Sequence, residues 1–174
     1  MSIDYGAVTA LAAVVASIAA VVAIWIEGKR ARFSQGLDIL LRLGDQFNSA
    51  SFVSKRRALA KLLASQERLS PLDQEERKRL SDEILDFFEM VGLFLKKKIL
   101  DPELVHAEFF YWLYHYYALT KDHLAEFRRA SNDNTVWEDA EWLYYTLLEV
   151  EGSPPTITSS MAGINRFLQE ESSL

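Results

Sequence analysis

The chain has no cysteine and only seven glycines, four prolines and three histidines in 174 residues. Each shortage closes a class of protein. Without cysteine there is neither a disulfide framework nor a thiolate metal site. With little glycine or proline, and no sustained apolar–polar alternation, the chain reads as helical. No glycine-rich phosphate loop and no nucleophile elbow occurs. Basic charge is also short: the formal net charge is −6. A mildly acidic surface argues against nonspecific nucleic-acid binding, which depends on clustered cations, and no specific nucleic acid is predicted. No internal repeat is evident.

What is present begins with an uncharged run of 21 residues, Gly6 to Ile26. As a helix at about 1.5 Å per residue it would be roughly 31 Å long, enough to cross a hydrocarbon core of ~30 Å. Backbone polar groups in lipid must be satisfied within the segment, which a helix does. Tyr5 and Trp25 stand at its two ends, where amphipathic rings settle at headgroup depth. Asp4 precedes the run where a cleaved signal peptide would carry positive charge. Lys29, Arg30 and Arg32 follow it and suit contact with anionic headgroups. Lys and Arg resist translocation, so the N-terminus is expected outside and the rest in the cytoplasm, with the protein single-pass in a bacterial inner membrane. The organisation read from this is a short tail over 1–5, a transmembrane helix over 6–26, a cytoplasmic bundle over 27–150 and a C-terminal tail over 151–174. The fold class is all-α, one N-terminal transmembrane helix followed by a bundle of about five helices.

The bundle helices follow from spacing. Phe33, Leu37, Leu40, Leu41 and Phe47 share a face and continue the first helix. A polar break over 48–51 precedes a short helix carrying Phe52, Leu59, Leu62 and Leu63. Asp73 is the expected N-cap of a third helix with Leu80, Ile84, Phe87, Phe88, Val91 and Leu95 on its stripe. It ends at Lys96-Lys97-Lys98, cations at the negative end of the dipole. Asp101-Pro102 gives a cap and a first-turn proline for a fourth helix, with an interruption expected near Thr120. Thr135-Val136-Trp137-Glu138 has the form of a capping box for a fifth helix, and Gly152-Ser153-Pro154-Pro155 stops it. The tail carries at most one short helix, near residues 162–169.

Two features point to association. Ala12, Ala16 and Ala20 form one small-residue seam on the membrane run; Ala13, Ser17 and Ala20 belong to another that starts at Gly6. Such seams let helices approach closely in lipid. The block from Phe109 to Tyr117 is aromatic nearly all round its helix. It reads first as core, and second as a protein interface through Phe109, Trp112 and Tyr116.

Enzymatic constellations fail, so no enzyme, metal or cofactor is expected. His106-Ala107-Glu108 has the histidine-x-glutamate form of zinc deaminases but lacks cysteine ligands. Glu103 to His106 has the Glu-x-x-His spacing of di-iron bundles, but there is no second copy. The short basic runs Lys55-Arg56-Arg57 and Arg77-Lys78-Arg79 read as solvated faces.

Three stretches carry a resemblance: Leu85-Asp86-Phe87-Phe88-Glu89-Met90-Val91-Gly92-Leu93, then Ile99-Leu100-Asp101-Pro102-Glu103-Leu104-Val105, then Phe110-Tyr111-Trp112-Leu113. Together they resemble a family of small bacterial proteins with one N-terminal membrane helix and a helical cytoplasmic domain of unknown function. The resemblance covers about Arg32 to Leu148 and transfers no catalytic residue. In layout the chain is similar to membrane-anchored, HEPN-like accessory effectors of bacterial antiviral systems, which can assemble into pores. Ribonucleases of that type place arginine four to six residues before histidine, and no histidine here has one. Two functions are expected from this. One is an oligomeric membrane effector or scaffold, pore-forming in antiphage defence if the layout holds; the other is a monomeric anchored adaptor that recruits a cytoplasmic protein.

Overall fold

A polar dipeptide, a run of caps and one buried phenylalanine organise the chain. The structure, a computed structural model, describes residues 5–65, 69–152 and 161–173, with side chains from Ala20 onward except that of Met161. Six α-helices make it up: α1 Tyr5–Phe47, α2 Ala50–Ala64, α3 Pro71–Lys96, α4 Pro102–Ser131, α5 Glu138–Glu151 and α6 Met161–Ser173. No strand occurs among the described residues.

α1 runs 43 residues without a break, so it is about 65 Å long at ~1.5 Å per residue. Nothing in its sequence stops it before Asn48-Ser49. There Ser49 Oγ accepts the Phe52 amide at 3.2 Å and starts α2. α3 starts one turn earlier than expected. Ser70, not Asp73, is its cap: Ser70 Oγ accepts the Asp73 amide at 3.2 Å and donates to the Asp73 carboxylate at 2.6 Å. Asp73 holds the partner position of a box rather than the cap itself. The Asp101 cap forms as its spacing predicts, accepting from Glu103 and Leu104 at 2.9 and 3.2 Å.

Two expectations are corrected by hydrogen bonding. α4 passes Thr120 without interruption, because Thr120 Oγ1 donates to the Tyr116 carbonyl one turn back (2.7 Å) and stays within the helix. The Thr135–Glu138 capping box does not form. Thr135 Oγ1 donates to Asp133 at 2.7 Å, and Trp137 sits in the left-handed region at φ +54° with no capping side chain of its own. The α5 amides are capped from another helix: Glu89 on α3 accepts the Ala140 amide at 2.7 Å.

α3 packs on α5, and α2 lies against α6. The α3–α5 approach depends on Gly92, where an added Cβ would stand 2.2 Å from the Asp139 carbonyl oxygen. The core gathers on Phe47, the last residue of α1, which is 1% exposed. Its ring lies 5.0 to 5.6 Å from those of Phe52, Phe87, Phe109 and Trp112, within the range of favourable aromatic pairs. The segment after residue 160, read as a tail, packs into the bundle through α6, with Phe167 fully buried.

Candidate functional site

The exposed part of α1 is the first candidate. From Ala20 to Gln35 every residue but Gly28 is exposed; burial against the bundle begins at Gly36. Val21, Val22, Ile24, Trp25 and Ile26 all show large exposure, from 40% to 69%. Successive residues on a helix turn by about 100°, so these side chains leave no polar face on that stretch. Lys29 Nζ lies 4.0 Å over the Trp25 ring, and Arg30 and Arg32 are exposed below it. Farther down, the face predicted for Phe33, Leu37, Leu40, Leu41 and Phe47 splits. Leu40 and Phe47 enter the core with Leu43, while Phe33, Leu37 and Leu41 form an exposed stripe at four-residue spacing. The apolar arc of α1 is wider than the bundle that covers it.

Among the described residues no helix is long and apolar enough to cross a membrane. Most of the 6–26 run has its side chains outside the described residues, as do Tyr5, Ala12, Ala13, Ala16 and Ser17. Ala20, the last member of the seams, is exposed.

The aromatic block lies inside. Phe109 and Tyr116 are fully buried, Trp112 is half-buried, and Tyr111 is exposed at the surface. Two of the three residues expected to offer an interface are therefore covered by their own chain. Their neighbours also explain how α6 is held. Glu171 on α6 is 5% exposed and accepts from the Tyr116 hydroxyl at 2.6 Å and from Trp112 Nε1 at 3.2 Å. Arg56 of α2, 3% exposed, brings Nε to 3.4 Å from the same carboxylate. The guanidinium lies 4.1 Å over the Phe47 ring, and its Nε and Nη1 make no hydrogen bond among the described residues. Burial, with Glu171 beside it, pushes the Tyr116 hydroxyl far above its ordinary pKa. This group was missed because Lys55-Arg56-Arg57 reads as a solvated run. The signal lay in helical spacing: Arg56 stands on the same stripe as Phe52, Leu59 and Ala60, all buried.

The histidines do not converge. His123 Nε2 meets Asp82 at 2.6 Å, and His106 Nε2 lies 2.8 Å from Glu151. His115 stacks on Phe167 at 4.4 Å, and burial lowers its pKa despite the nearby Tyr111 carbonyl. No group of three or more histidine, aspartate or glutamate side chains is arranged to hold a metal among the described residues.

A cavity of about 440 Å³ opens where α1 meets the α3–α4 turn and α5, with Arg32, Leu40, Lys98 and Trp142 in its lining. Gly36 allows that meeting, since a Cβ there would lie 2.4 Å from the Ile99 carbonyl oxygen.

A family model described as Domain of unknown function (DUF4760) matches residues 8–147, from the first turns of α1 into α5. The chain belongs to the DUF4760 family. No curated protein and no solved structure matches it. The match stops short of α6, so in this DUF4760 protein the helix that supplies Glu171 lies beyond the family's region.

Proposed function

We propose that this DUF4760 protein is a membrane-anchored helical protein that self-associates along α1 and acts as an oligomeric scaffold or effector. One observation carries the reading: α1 leaves the bundle with apolar side chains exposed on every side from Ala20 to Ile26. A contiguous apolar surface of that kind needs lipid or protein around it. The sequence over residues 6–19 is uncharged, and Lys29, Arg30 and Arg32 follow the run at headgroup distance. The uncovered stripe Phe33, Leu37 and Leu41 continues the association surface below the membrane. Flotation of the full chain with phosphatidylcholine vesicles tests the anchor. The protein should rise with the vesicles and resist alkaline extraction; recovery in the soluble fraction would remove the anchor. Replacing Ala16 and Ala20 with leucine should lower the assembled mass in detergent, and an unchanged mass would remove the seam.

The second reading is a monomeric anchored adaptor that recruits a cytoplasmic protein. The burial of Phe109 and Tyr116 favours it, because the aromatic block then serves the chain's own core. The mass of the chain in lipid separates the two: several copies fit the assembly along α1, and a single copy fits the adaptor.

A further inference from the structure

The cavity below Arg32 has the features of a lipid site. Its floor is apolar, from Leu40, Leu95, Leu104 and Trp142. Two cations, Arg32 and Lys98, stand in its lining. Among the described residues neither is ion-paired with a carboxylate. Asp101 is the one acid in the lining, and its carboxylate is engaged by the Glu103 and Leu104 amides. Two cations therefore stand against one ionised carboxylate, and the lining carries a net positive charge. The volume of about 440 Å³ lies in the ~300–1,000 Å³ range of ligand pockets.

A second observation comes from the backbone. α3 ends in a Schellman turn, with the Ile99 amide donating to the Phe94 carbonyl at 3.0 Å and the Lys98 amide to that of Leu95 at 2.9 Å. The residue at its left-handed position is Lys98, at φ +57°. Glycine is the favoured residue there, because a Cβ crowds the backbone. A lysine there carries backbone strain that glycine would not, and its side chain lines the cavity.

We propose that this cavity binds one anionic phospholipid, with the phosphate between Arg32 and Lys98 and the start of an acyl chain over Leu40, Leu95 and Trp142. The inference rests on the anchor reading for its supply of lipid: Arg32 lies about 9 Å along the helix from Ile26, at the edge of the headgroup layer. Guanidinium and ammonium groups favour phosphate through charge-assisted hydrogen bonds, and a zwitterionic headgroup brings its own cation into the same space.

The test uses the full chain in uncharged detergent and monomeric dihexanoyl phosphatidylglycerol, with dihexanoyl phosphatidylcholine as the comparison, followed by calorimetry. Phosphatidylglycerol should saturate one site per chain, with phosphatidylcholine weaker by about tenfold, the worth of one charge-assisted contact. Lys98→Gly should weaken phosphatidylglycerol by a similar factor while leaving the melting temperature unchanged or higher, since glycine relieves the turn. Arg32→Gln should weaken it without loss of helix. Absence of saturable binding, equal affinity for the two lipids, or an unaltered Lys98→Gly would each overturn the site. Because the soluble lipid needs no bilayer, vesicle flotation reads the anchor separately: a chain that floats but shows no headgroup preference keeps its anchor and loses this site.

Discussion

Removing the carboxylate of Glu171 should release α6 before it unfolds the bundle. In Glu171→Ala the buried Arg56 guanidinium loses its counter-charge, and Tyr116 and Trp112 lose their acceptor. Breaking a buried pair by deleting one partner costs about 3–5 kcal/mol, mostly through the charge left behind. An unpaired neutral donor adds about 1–3 kcal/mol each when it stays buried. The chain has an escape. Undocking α6 lets water reach Arg56, so the loss is capped at the free energy that holds α6 in place. Phe167 is fully buried and stacks on His115, and full burial of such a side chain is worth about 1.5–3 kcal/mol. Hydrogen exchange resolves the outcome. Amides of residues 161–173 should lose protection by roughly two orders of magnitude for each ~2.7 kcal/mol, while those of α3 and α5 hold. A companion variant, Arg56→Met with Glu171→Leu and Tyr116→Phe, removes the buried ion pair and the buried hydroxyl together and leaves only the half-buried Trp112 Nε1 without its acceptor. Replacing a buried pair with apolar residues of similar size is often neutral or stabilising by about 1–4 kcal/mol, so α6 should stay docked. Wild-type protection in Glu171→Ala, or loss of α6 in the apolar triple variant, would refute the reasoning.

Other consequences follow from single contacts. Gly92→Ala should cost about 1–3 kcal/mol, because the Cβ would press on the Asp139 carbonyl and force α3 and α5 apart; a thermal melt within experimental error of the wild type would contradict the close approach. Asp101→Ala should lose about 1 kcal/mol through the α4 cap, and Asp101→Asn should recover most of it in denaturant titrations. Burial lowers the His115 pKa in the folded chain below 6.5, so the unfolded chain binds the extra proton first. The stability His115 gives is complete above pH 6.5 and falls as pH drops through the folded value. His115→Phe should flatten that loss in melts between pH 7 and 5; an unchanged slope would show that other groups set it.

The sequence carried the helical class and most helix positions, because apolar spacing and Asp101-Pro102 are local signals. It failed where a neighbour in space supplied what local sequence did not. Ser70 and Asp73 are both good capping types three residues apart, and spacing alone does not choose between them. The start of α5 depends on Glu89, which stands 51 residues before the amide it caps, so the nearby Thr135-to-Glu138 pattern drew the wrong bond. Arg56 looked solvated in its basic run because α6, which buries it, lies far along the chain. The α1 face was legible as apolar, but which half of it meets the bundle depends on Gly36 and the turn at Ile99. Trp25, Lys29, Arg30 and Arg32 are exposed on α1 ahead of the point where it meets the bundle.

The most direct test of anchored self-association is the mass of the full chain released from nanodiscs into a mass spectrometer. A single closed assembly of several copies, lightened by Ala16→Leu with Ala20→Leu, is the result predicted here. A monomer that stays with lipid would contradict self-association and leave the adaptor, and a chain that never enters the nanodisc would contradict the anchor itself.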